Sequence, residues 1–195
     1  MKKNVLIIAS GTGGHVIPAK NISQKLIKMG YEVTWVGTRF GIENKLLADE
    51  NIKIRHVHSS GIRGMSVIKT IRGILNLLTS FFQSLIIIYK EKPLFVFGFG
   101  GYITVPVSIA AYVMRIPVYA HESNSIPGTA NKINNLISSL TFQTFPKTFL
   151  PRSKIILSGN PIKDSFLKII DPQTKYSEKK NILNILVFGG SQGAK

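Results

Sequence analysis

The sequence predicts an α/β fold built on a doubly wound parallel sheet, and three observations carry that prediction. Strand-like apolar runs alternate with stretches of helical periodicity along most of the 195 residues. Three of those runs end directly in glycine: Val5–Ala9 leads to Gly11, Gly13 and Gly14, Leu94–Phe97 to Gly98, Gly100 and Gly101, and Asn184–Phe188 to Gly189, Gly190 and Gly193. The runs are apolar throughout rather than alternating, which suits strands covered on both faces.

Taken in order, Val5–Ala9 is the first strand, and Ile22, Leu26 and Ile27 give a helix over about 18–29 that opens at Pro18. Tyr31–Val36 forms the second strand, residues near 41–50 a helical stretch, and 52–57 the third strand. Ile71, Ile74, Leu75, Leu78, Phe81, Phe82 and Leu85 keep a helical period inside a long helix at 66–90. A strand at 94–97, a helix at 104–114 and a strand at Pro117–Ala120 follow, and then helical spacing at Ile133, Leu136, Ile137 and Leu140. Lys154–Leu157 is a short strand before Ser158-Gly159-Asn160-Pro161. These elements make one domain over 1–170, followed by a polar linker at 171–181 containing Pro172. Residues 182–195 repeat the strand and glycine-loop grammar and read as the start of a second, truncated domain.

Composition narrows the function. A hydrophobic content of 44% excludes disorder, and the absence of cysteine removes disulfides and thiolate metal sites. The four histidines have no H-x-x-x-H spacing, so no metal and no cofactor are expected, and a reducing cytoplasm is the expected setting. Lys2-Lys3 lead straight into a short strand, which does not fit a signal peptide. The net charge is +16, and between Asn51 and Lys90 there is no acidic residue, which predicts an anionic ligand or surface as partner. The helix at 66–90 is interrupted by Lys69, Arg72, Asn76 and Gln83 and falls short of a membrane span. It is either packed against the sheet or lies with Phe81 and Phe82 on anionic lipid, framed by Lys69 and Arg72.

The first glycine loop, within VLIIASGTGGHVIP, offers free backbone N–H groups beside a helix N-terminus, a place for a phosphate. A dinucleotide fingerprint would need glycine at Val16 and an acid near the end of the second strand, where Gly37, Thr38 and Arg39 stand instead, which argues against a nicotinamide oxidoreductase. His15 either caps the helix or hydrogen-bonds a backbone carbonyl, or else does acid–base chemistry. In an open parallel sheet, the strand carboxyl ends line one crevice, so His15, Gly100-Gly101 and His121-Glu122-Asn124 are expected to meet there. Glu122 admits a proton-handling or an orienting role, and Asn124 a binding or a turn role.

Six motifs run through the chain in order: G-T-G-G-H at 11–15 with Pro18-Ala19, S-G-I-R-G at 60–64, G-G-Y at 100–102, H-E-S-N at 121–124 with Gly128 and Asn131-Lys132, G-N-P at 159–161, and G-G-S-Q-G-A at 189–194. Together they resemble the MurG family of bacterial N-acetylglucosaminyltransferases. The resemblance implies a GT-B fold of two Rossmann-like domains, of which this chain holds the amino-terminal one. It implies transfer of GlcNAc from UDP-GlcNAc, with inversion, to the C4 hydroxyl of undecaprenyl-pyrophosphoryl-MurNAc-pentapeptide (lipid I), giving lipid II for peptidoglycan. The setting implied is peripheral, on the cytoplasmic side of the cell membrane, without a nucleic-acid partner.

By the same resemblance, Thr12, Gly13, Gly14, Asn124, Lys163 and Ser191 contact the donor, and His15 and Glu122 handle and orient the proton. Gly14, His15, Gly100, Gly101 and Tyr102 meet the acceptor pyrophosphate. The chain departs from the family at Lys163, where arginine is usual, at Ser10 (glycine) and at Ser123 (glutamine). Lysine keeps the charge but loses the bidentate fork. A non-catalytic half that binds lipid pyrophosphate, docks on the membrane and needs a separate donor-binding chain is the alternative.

Overall fold

The computed structural model describes residues 3–58, 67–168, 174 and 185–187. The motif at 60–64 and Ser191 lie outside these residues. The chain divides into two units, Met1–Pro161 and Ile162–Lys195. In the second, the described structure is a 3-10 turn at Asp164–Lys168, and residues 185–187 of the expected strand are described without a strand assignment.

The first unit is a sheet of seven parallel strands in the order β3-β2-β1-β4-β5-β6-β7. Its elements are β1 (Lys3–Ile8), α1 (Gly13–Lys28), β2 (Tyr31–Gly37), α2 (Glu43–Leu46), β3 (Lys53–His56), α3 (Val67–Glu91) and β4 (Val96–Gly98). They continue with α4 (Thr104–Val113), β5 (Val118–Glu122), α5 (Thr129–Ile137), β6 (Leu140–Gln143) and β7 (Ile155–Leu157). The expected α/β doubly wound sheet is therefore the one observed, with β6 as an added strand. Its sequence LTFQ alternates too briefly to stand out, and its pairing on β5 and β7 makes it a strand.

Alternate residues of each strand feed two cores. Leu6, Ile8 and Val36 pack under α3 and α4 with Ile88, Ile103 and Val107. Val5, Ile7 and Trp35 pack on the other face with Val16, Ala19 and Leu47. Trp35, fully buried, donates its indole N–H to the Ala9 carbonyl at 3.0 Å and so ties β2 to the end of β1. The strand order reverses between β1 and β4, which opens a crevice at their carboxyl ends.

The helix expected from Pro18 begins earlier, at Gly13, and Pro18 sits inside it. That proline falls in the second turn, where its missing N–H removes the bond to Gly14, and Val16 before it already packs in the core. The stretch expected as a helix at 41–50 contracts to α2 followed by turns.

The long helix α3 buries two serines among Phe81, Leu85 and Ile88 on its core side. Ser80 and Ser84 are fully buried, with their hydroxyls turned back to the carbonyls of Asn76 and Ser80. Opposite them Ser108 and Ala111 of α4 are buried too, and such small side chains let two helices approach closely. Leu75, Leu78, Phe82, Ile86 and Tyr89 face outward, Phe82 being 61% exposed. Of the two phenylalanines expected on that surface, Phe81 instead packs against the core, one step round the helix, and only Phe82 is outward. The side chains of Lys69 and Arg72 lie outside the described residues. Among the described residues no helix is long and apolar enough to cross a membrane.

Candidate active site

Three strand ends build the site. β1 delivers the first glycine loop, in which Gly11 takes a left-handed φ of 96° and Thr12 is extended at the helix N-cap. Gly13 and Gly14 are helical, not left-handed, and form the first turn of α1. The Thr12 carbonyl accepts from the amides of His15 (3.1 Å) and Val16 (3.2 Å), while the amides at Gly13 and Gly14 are ones an α-helix cannot satisfy itself. A Cβ on Gly13 would come no closer than 3.4 Å to a neighbour, and one on Gly14 no closer than 3.6 Å. The protein's own packing therefore does not demand glycine at either position.

β4 delivers the second loop, where glycine is demanded. Gly100 and Gly101 have φ of 112° and 88°. A Cβ on Gly100 would stand 2.7 Å from Cδ2 and 2.8 Å from Nε2 of His15, and one on Gly101 2.7 Å from the Ser10 carbonyl oxygen. This loop is thus shaped to let the tip of β1 and the imidazole lie against bare backbone. Behind it, Thr104 donates its hydroxyl to the Gly101 carbonyl and accepts from Asn134 of α5.

β5 delivers His121 and Glu122, each 1% exposed. The Glu122 carboxylate accepts four hydrogen bonds: Oε1 from the amide and Nδ2 of Asn124 (2.8 and 2.9 Å), Oε2 from the Gly128 amide and Asn131 Nδ2 (both 3.0 Å). Four donors fill the lone pairs of one carboxylate, and no acceptor position is left for a substrate proton. Glu122 folds the 123–128 loop onto the start of α5 and sets a negative charge beside His15. Asn124 is exposed, but its amide nitrogen is engaged by Glu122, leaving Oδ1 as its outward group.

His15 is half-buried and differently placed. Burial pulls its pKa below the ordinary histidine value, while the charge of Glu122 and the Ser10 backbone pull it up without overcoming burial. Nδ1 is buried and makes no hydrogen bond of ordinary geometry. The Ser10 backbone favours the protonated ring, and the Nε2 edge lies against Gly100. A helix-capping role for His15 finds no hydrogen bond to support it. Burial also lowers the pKa of His121, against the Gly159 carbonyl and the charge of Glu122, with His15 pulling the same way as burial.

His15, Gly100, Gly101, Tyr102, Glu122 and Asn131 line a cavity of about 180 Å³ that also reaches the first residues of α5. The structure so brings together Thr12, Gly13, Gly14, His15, Gly100, Gly101, Tyr102, Glu122 and Asn124 at one sheet edge. Lys163 is exposed in the second unit. Asn131 was not legible as a site residue beyond its motif. Its signal is the inward i, i+3 pair Asn131 and Asn134, polar where α5 should be apolar. Among the described residues no group of acidic, histidine or cysteine side chains could hold a metal ion.

A doubly wound domain with a histidine and a glycine-lined cavity at the strand carboxyl ends places a ligand site where open α/β sheets hold theirs. Residues 5–145 match the model of the glycosyltransferase family 28 N-terminal domain, and the chain belongs to that family. It is 37% identical over 196 residues to the UDP-N-acetylglucosamine--N-acetylmuramyl-(pentapeptide) pyrophosphoryl-undecaprenol N-acetylglucosamine transferase of Acinetobacter baumannii (strain ACICU), covering 99% of this chain and 54% of that protein. The enzyme of the same name from Haemophilus influenzae (strain PittEE) is also 37% identical, over 198 residues, covering 100% of this chain and 54% of the relative. The crystal structure of Acinetobacter baumannii MurG superposes with a TM-score of 0.73 at 33% identity, over 87% of this chain and 50% of that one. A UDP-GlcNAc 2-epimerase from Neisseria meningitidis shares the fold at a TM-score of 0.61 and 16% identity, over 86% and 49%. The chain spans about half the length of the curated relatives it matches.

Proposed function

We propose that this chain is the acceptor-side half of an inverting N-acetylglucosaminyltransferase that glycosylates the C4 hydroxyl of lipid I. The observation that carries the proposal is an imidazole lining the cavity beside a saturated carboxylate. His15 lines the cavity with its Nε2 edge against Gly100, whereas Glu122 has every lone pair occupied. Attack of the C4 oxygen on the anomeric carbon forms the new C–O bond as the bond to the UDP oxygen breaks. The hydroxyl proton passes to His15 Nε2, and the resulting imidazolium is stabilised by the neighbouring Glu122 charge. UDP leaves with the bonding pair.

The remaining residues take supporting roles. The Gly13 and Gly14 amides and the positive end of α1 face a diphosphate, with Thr12 beside them. Gly100, Gly101 and Tyr102 shape the acceptor pyrophosphate site next to His15. Asn124 Oδ1 takes a hydroxyl or amide of the donor sugar, and Lys163 and Ser191 its phosphates. The outward face of α3 places the domain on anionic lipid at the cytoplasmic surface, with Phe82 in the interface and Lys69 and Arg72 toward headgroups.

The test is titration of the chain with a soluble lipid I analogue that keeps the pyrophosphate, beside NADH as a control. Saturable binding of the analogue and none of NADH is expected, and the reverse pattern overturns the proposal. In a version carrying both domains, His15→Ala is expected to lower turnover by about two to four orders of magnitude with donor affinity kept. Binding without turnover in that version would favour the non-catalytic docking half.

A further inference from the structure

The backbone past β7 starts at the outer edge of the sheet, yet side chains from two distant elements hold it. The Ser158 amide still extends the ladder to the Gln143 carbonyl. The chain then turns at Gly159, whose φ is 72°. His121, at the end of β5, lies 3.2 Å through Nε2 from the Gly159 carbonyl, and Asn21 of α1 donates Nδ2 to the Pro161 carbonyl at 3.0 Å. A carbonyl can only accept, so His121 carries its proton on Nε2, and Nδ1 is left to accept from the Ser123 hydroxyl at 3.4 Å. Both anchors are buried, His121 at 1% and Asn21 at 4% exposure.

Each anchor belongs to an element that carries the proposed site. Asn21 lies on α1 less than about two turns beyond His15. His121 precedes Glu122 in β5, and its ring packs on Phe99 with centroids 5.4 Å apart. The segment therefore bridges the element of His15 and the element of Glu122.

The geometry points to His121 and Asn21 as positioning residues that make Gly159–Pro161 a strap, holding α1 against β5 so that His15 stays packed on Gly100 beside Glu122. The strap acts through backbone carbonyls, so it depends on the two donors and not on the identity of the residues it crosses. Its importance for catalysis rests on His15 being the proton acceptor; its existence does not.

The test uses the chain itself, by NMR, with no substrate present. In Asn21→Ala and in His121→Phe, which keeps a ring against Phe99 but has no donor, protection of the Ser158 amide, which bonds the Gln143 carbonyl where the segment begins, is expected to fall by about tenfold or more. The His15 titration midpoint is expected to rise toward the ordinary histidine value, because a loosened α1 admits water to the ring. His121→Gln, with an amide donor of similar reach, is expected to restore both. An unmoved His15 midpoint in both variants overturns the strap, even if protection falls, and so does a His121→Gln chain that behaves like His121→Phe. If His121→Phe does not fold, Asn21→Ala decides alone. Because neither measurement contains a ligand, an unmoved midpoint leaves the glycosyl-transfer proposal standing, and failure to bind the lipid analogue leaves the strap standing.

Discussion

The two glycine loops look alike in the sequence, each following an apolar strand, but they use glycine for opposite reasons. In the loop after β4, Gly100 and Gly101 are left-handed and any Cβ would collide with His15 or Ser10. In the loop after β1, Gly13 and Gly14 are helical and a Cβ would make ordinary contacts only. One loop is bare so that the protein can approach itself. In the other, Gly11 serves a left-handed turn, but Gly13 and Gly14 are bare with no internal need, which leaves the helix N-terminus open to something outside. A glycine motif therefore reports close approach without saying what approaches.

Gly101→Ala is the severest test of that contrast. A left-handed alanine pressed on the Ser10 carbonyl combines backbone strain with overpacking, and about 2–4 kcal/mol of stability should be lost, read from the urea midpoint. A change under about 1 kcal/mol would mean that the second loop, like the first, has room to spare.

Gly14→Ala should do the converse. Stability should stay within about 1 kcal/mol, since alanine is the better helix former, while affinity for the pyrophosphate analogue drops about tenfold as the methyl group covers the amides. Calorimetric binding that is unchanged would return the first loop to a purely structural role.

Proton linkage separates the loops in a third way, because only the second one encloses a titrating ring. The pKa values of His15 and His121 are lowered, first by burial, so the unfolded chain takes up protons before the folded one does. Stability is then full above the unfolded value of about 6.5 and falls as pH drops from there toward the folded values. Urea midpoints between neutral and mildly acidic pH should show this decline, and His15→Gln should make it shallower. An equal slope in the variant would place the linkage in His121 alone.

The smallest effect belongs to a site remote from both loops. Burial pushes Glu91 up, but hydrogen bonds and charge from Lys53 and Arg55 outweigh it and hold the carboxyl below its ordinary value. Both ion pairs measure 2.8 Å, yet Lys53 and Arg55 are 52% and 42% exposed. Glu91→Gln should therefore cost about 1 kcal/mol or less, with the loss present above the ordinary carboxylate range and absent below the folded value. The response to the pyrophosphate analogue should not change, which makes this variant the control for the other three. The same pairs also show that part of the acid-free stretch between Asn51 and Lys90 meets an acid of its own chain rather than a foreign one.

What the sequence alone determined was the architecture and the meeting place. Continuous apolar strands must be covered on both faces, and parallel strands joined by helices must carry their loops to one edge, so the convergence of His15, Gly100 and Glu122 followed from spacing. It also carried the family resemblance, because motifs in order survive without coordinates. It could not divide labour inside the site. Whether Glu122 takes a proton or receives four hydrogen bonds depends on Asn124, Gly128 and Asn131 folding back on it. Whether Phe81 or Phe82 faces outward depends on which side of α3 meets α4, and both sides are apolar enough that the hydrophobic pattern alone does not choose between them. Start positions such as that of α1 escaped for a related reason: Gly13 is helical because the turn after Gly11 aims it there, against its local preference. Local chemistry sets which groups can meet. Only packing decides which of their lone pairs, edges and faces remain free.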